Sequence, residues 1–108
     1  MAWDDWLQTY RVVLGCSATE EELLAAMSDA DPGTRAWAAT HRDATQRVWE
    51  IAANDLDPMV RLALAEKLAR IAKHHRPVPV RVLEVLRHDQ DPRVREIADQ
   101  ARYWVVQS

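Results

Sequence analysis

The sequence predicts an all-α protein: a short right-handed α-solenoid of three helix pairs, preceded by an N-terminal capping helix. Three observations predict it. Glycine occurs only twice and phenylalanine not at all in 108 residues, beside plentiful Ala, Leu, Arg and Glu, which favours helix over sheet. A motif of the form Asp-x-Asp-Pro-x-(Val/Thr)-Arg occurs three times, at residues 29–35, 55–61 and 89–95. Between these motifs, apolar residues return at helical spacing.

The repeat extends beyond the motif. At a constant offset of 34, residues 41–61 and 75–95 share ten identities in 21 positions, including His41-Arg42 with His75-Arg76 and Arg47-Val48 with Arg81-Val82. The first copy lies 26 residues upstream, with Thr19 matching Thr45. Repetition at periods of this length is the signature of stacked helical units that bury their apolar faces on one another.

Taken in order, residues 2–14 read as an amphipathic capping helix. Trp3, Trp6, Leu7, Tyr10, Val13 and Leu14 form its apolar stripe, opposite Asp4, Asp5, Gln8 and Arg11. Repeat one spans about 17–42, repeat two 43–76 and repeat three 77–106, within one domain of residues 1–108. The first helix of each repeat is expected at about 20–29, 46–55 and 80–89. Thr19-x-x-Glu22 and Asp43-x-x-Gln46 have the form of capping boxes, and Pro77-Val78-Pro79 breaks the chain before the third. Each second helix is opened by the motif. Asp31, Asp57 and Asp91 are N-caps, and Pro32, Pro58 and Pro92 occupy the first helical position, where a missing N–H costs nothing.

In repeat two, Val60, Leu64, Leu68, Ala69, Ile71 and Ala72 spread over more than half the helix circumference, so that helix needs neighbours on two sides. Arg61 falls inside this arc and needs an acidic partner, sought among the aspartates one motif over. The last helix has a single stripe of Val94, Ile97, Ala98, Ala101, Trp104 and Val105. Its other side, Arg95, Glu96, Asp99, Arg102 and Tyr103, is polar, so both ends are expected to be capped.

Asp-Pro-x-Val-Arg followed by an alanine-rich helix resembles the HEAT-like repeat family and the related bacterial variant leucine-rich repeats. The resemblance covers roughly residues 17–104 and is specific for fold rather than function. It implies a structural ladder of Asp31, Asp57 and Asp91 with Arg35, Arg61 and Arg95, and a concave binding face lined by the second helices. Gly33 and Thr34 depart from the bulkier residues usual there. Some variant leucine-rich repeat proteins carry a cysteine-ligated cluster, for which Cys16 alone does not suffice.

The function expected is that of a non-enzymatic protein-interaction scaffold. No Gly-rich phosphate loop, nucleophile elbow or metal-binding helix motif is present, and His41, His74, His75 and His88 lack ligand spacing, so neither metal nor cofactor is expected. A motif repeated in every unit is a fold device rather than an active site. The partner-binding face is assigned to Trp37, Lys67, Arg70, Lys73, His74 and Trp104: a basic stripe flanked by aromatics. The alternative is contact with a nucleic-acid phosphate backbone. The net charge of −3 disfavours it, although residues 1–31 carry −6 and the remainder +3. An acidic N-terminus, a single cysteine and the absence of a long apolar run point to a cytoplasmic protein, monomeric or homodimeric, with no membrane contact.

Overall fold

The computed structural model describes residues 17–107. Among them the chain is all-helical, with six helices and no strand. The helices are α1 (Glu20–Ala26), α2 (Pro32–Thr40), α3 (Gln46–Ala53), α4 (Pro58–Lys73), α5 (Val80–Arg87) and α6 (Pro92–Gln107). The capping helix expected over 2–14, with Trp3 and Trp6, and Cys16 lie outside the described residues. No helix among the described residues is long and apolar enough to cross a membrane.

The starts of α1, α2, α4 and α6 follow from side-chain caps, while α3 and α5 begin without one. Thr19 and Glu22 form the expected capping box, with Thr19 Oγ1 accepting from the Glu22 N–H at 3.1 Å and Glu22 Oε1 from the Thr19 N–H at 3.2 Å. The second expected box does not form. Thr45, not Asp43, is the N-cap of α3. Asp43 Oδ2 instead accepts from the Ala18 N–H at 3.0 Å, tying the segment before α3 to the one before α1. The Thr45 hydroxyl is hydrogen-bonded to Glu20.

Both aspartates of the motif have a backbone role. Asp31, Asp57 and Asp91 accept from the N–H groups of Gly33, Met59 and Arg93 at 3.1, 2.8 and 2.9 Å, capping α2, α4 and α6. Asp29, Asp55 and Asp89 accept from the N–H groups of Asp31, Asp57 and Asp91 at 2.8, 2.9 and 2.9 Å, fixing the turn that presents each cap. Arg93 hydrogen-bonds the Asp91 carboxylate through side chain and backbone and holds its pKa down, at about 2. That carboxylate therefore contributes stability above its unfolded pKa, near 4, which is lost as the pH falls towards 2.

The ladder exists, with different acids from those expected. Arg35 Nε and Nη2 donate to the Asp55 carboxylate at 2.9 and 3.2 Å, and Arg61 Nε donates to Asp89 at 2.7 Å. The rungs therefore use the first aspartate of the following motif. Asp31, Asp57 and Asp91 are committed to helix N-termini, and Asp57 and Asp91 act on the arginines one motif earlier only through their charge. Each motif arginine also reaches backwards with Nη1: Arg35 to the Asp29 and Ala30 carbonyls, Arg61 to Asp55, and Arg95 to Asp89 and Gln90.

Helices α2, α4 and α6 pack side by side, as do α1, α3 and α5, and α4 lies between α2 and α6. This explains the wide apolar arc of α4: Val60, Leu64, Ala65, Leu68 and Ala72 are all buried, while Glu66, Arg70 and Lys73 are exposed. In α6, Val94, Ala98 and Ala101 are buried, whereas Arg95, Glu96, Asp99 and Arg102 are exposed on the outer side and Tyr103 is exposed at its edge. Leu23, Val48, Val82 and Leu86 complete the core from α1, α3 and α5.

Helix α4 ends in a Schellman turn. The His75 N–H donates to the Ala72 carbonyl at 2.9 Å and the Arg76 N–H to Ile71 at 3.1 Å. The turn puts His75 at φ 59°, a left-handed conformation normally taken by glycine. His75→Gly is expected to raise stability by about 0.5–1 kcal/mol, because the released backbone strain outweighs the added chain entropy. Thermal denaturation checks this, and a lower melting temperature would show that the imidazole contributes more than its backbone costs.

Candidate protein-binding groove

Helices α4 and α6 each present one stripe to a shared groove. Glu66, Ala69, Arg70 and Lys73 form one wall and Ile97, Gln100, Tyr103 and Trp104 the other. The spacings are those of a single helical face in both cases. The groove is open and encloses about 610 Å³, a size suited to a few side chains of a partner. Ala65 and Ala72 of α4 and Ala98 and Ala101 of α6 are buried, and these small side chains let the two helices pack closely beneath the groove.

The aromatic wall is ordered by its own contacts. The Tyr103 and Trp104 rings meet edge to face, with centroids 5.4 Å apart and planes at 80°. Lys73 Nζ lies 6.0 Å from the centre of the Trp104 ring, at the outer limit of a cation–π contact. Tyr103 is 57% exposed, so much of its ring area is open to a partner.

The groove also has distinctive electrostatics. Arg35, Arg42, Arg47, Arg61, Arg87 and Arg93 each have a carboxylate within 4.0 Å. Among the described residues, seven basic side chains make no ion pair: Lys67, Arg95 and Arg102, and the four neighbours Arg70, Lys73, Arg76 and Arg81. These four cations lie on the last turn of α4, in the link that follows it and at the start of α5. His74, exposed and the C-cap of α4, sits among them.

Three of the six residues assigned from sequence, Arg70, Lys73 and Trp104, therefore come together in the groove, and His74 lies just beyond its end. Two do not. Lys67 turns its ammonium to the Thr40 carbonyl at 3.0 Å, closing the C-terminus of α2, and burial pushes its pKa down. Its polar neighbours in sequence concealed that it faces α2 rather than water. Trp37 is half-buried, packed against the core and edge to face with His41 at 5.2 Å. Tyr103, assigned to the solvent side of the last helix, is exposed as expected and also lines the groove. Its signal was present in the repeat: an offset of 34 maps Glu66, Ala69 and Arg70 onto Gln100, Tyr103 and Trp104.

Comparison with family models, with curated proteins and with solved structures finds no match to this chain.

Proposed function

We propose that this is a non-enzymatic interaction module of the cytoplasm, a short right-handed HEAT-like solenoid that holds an acidic protein partner against the second-helix face. The carrying observation is the contrast in charge pairing. Six arginines have their carboxylates within the molecule, while Arg70 and Lys73 line an aromatic-walled groove without one. Aromatic side chains with adjacent cations supply the apolar anchor and the charge that protein-binding hot spots combine.

The test is quantitative capture of partners from the source lysate by the wild type and by Arg70→Glu/Lys73→Glu. The partner set of the wild type is expected to fall at least tenfold, about 1.4 kcal/mol, with the double substitution. A partner set that survives it would place the binding face elsewhere. Binding of a labelled duplex with a steep salt dependence would instead favour the phosphate-backbone reading. The four unpaired cations clustered around the end of α4 are few for that, since tight duplex binding commonly uses about 6–10 phosphate contacts.

A further inference from the structure

The arginine–aspartate ladder leaves one half-rung open at each end. Asp55 holds Arg35 and Asp89 holds Arg61, but among the described residues the Asp29 carboxylate receives only the Asp31 N–H and no guanidinium. At the other end, Arg95 is anchored by Nη1 to the Asp89 and Gln90 carbonyls at 2.7 and 3.0 Å. The corresponding backward bonds in Arg35 and Arg61 accompany Nε aimed at the next aspartate. In Arg95, Nε and Nη2 have no such acceptor among the described residues. Arg95 and Asp29 are both exposed.

The donor half and the acceptor half of one rung therefore stand on the same molecule, at opposite ends of the row α2, α4, α6. We infer that copies of this chain associate head to tail, Arg95 of one copy engaging Asp29 of the next. The occupant is argued from two features. The missing rung has the same chemistry as the two formed within the chain, where the guanidinium is already held in the pairing orientation by its own turn, so little freedom is lost on binding. The charge distribution also favours unlike ends: residues 17–31 carry five acids and no base, whereas residues 92–107 carry three arginines against two acids. The outer side of α6 carries Glu96, Asp99 and Arg102 rather than an apolar stripe, so the contact is electrostatic, weak and reversed by salt. This surface is separate from the α4–α6 groove.

Because the contact joins two different patches, it can be tested by complementation. Sedimentation velocity at low salt, over a concentration series reaching the millimolar range, is run on the wild type, Asp29→Asn, Arg95→Gln and an equimolar mixture of the two variants. Asparagine keeps the oxygen that accepts from Asp31, both sites are exposed, and circular dichroism verifies the fold. The wild type is expected to form dimers and longer species that dissociate as salt rises. Each variant alone is expected to associate at least about tenfold more weakly. The mixture is expected to form a dimer that grows no further, joining the intact Arg95 of one variant to the intact Asp29 of the other. A wild type that stays monomeric throughout, self-association indifferent to either substitution, or a mixture no different from its components would each overturn the inference.

Discussion

Arg61→Ala is expected to destabilise the protein by about 3 kcal/mol or more, lowering its melting temperature by roughly 10–20 °C. The Arg61 side chain is 11% exposed and that of Asp89 only 5%. Truncation removes a guanidinium that satisfies Asp89 on one side and the Asp55 carbonyl on the other. The cost comes mainly from what remains: a carboxylate held out of water with its charge uncompensated. Arg95→Ala supplies the control. It occupies the same motif position, but it is exposed and bonds only to carbonyls, so its loss should cost under about 1 kcal/mol. Equal melting temperatures for the two variants would refute the burial argument.

Leu68→Ala is expected to cost a similar amount, about 3 kcal/mol, for a different reason. Leu68 is 0% exposed in the helix that has neighbours on both sides, so the cavity cannot close by moving one surface. Because α4 also carries Arg70 and Lys73, the same substitution loosens the wall of the groove and should weaken partner capture without touching a binding residue. Leu56→Ala makes the comparison sharp. Leu56 is 96% exposed between the two aspartates of its motif, and its truncation should change stability by less than about 0.5 kcal/mol. Chemical denaturation with a shared slope reads both.

Several features were legible in the sequence because they are local. A proline after an aspartate fixes a helix start, so all three motif helices begin at the residue expected, Pro32, Pro58 and Pro92. The two-sided burial of α4 and the polar back of α6 followed from periodicity. What escaped was the use of alternatives that lie close together in sequence. Two aspartates separated by one residue are equivalent to a pattern, yet a side chain can cap a helix or meet an arginine from another motif, and backbone geometry decides which. Lys67 escaped for a related reason. A long side chain on a polar arc can reach a neighbouring helix terminus, and only the placement of Thr40 reveals that it does. The groove was half legible: its α4 wall was read from charge, whereas Tyr103 needed the position of α6.

The rungs also bear on the order in which the chain can become stable as it is made. Arg35 finds its aspartate 20 residues later and Arg61 finds its own 28 residues later, so no rung waits for a distant part of the polypeptide. Each new motif leaving the ribosome can lock the one before it, and structure can accumulate during synthesis instead of only after release. Once Asp55 has cleared the ribosome, both partners of the first clasp are already outside it.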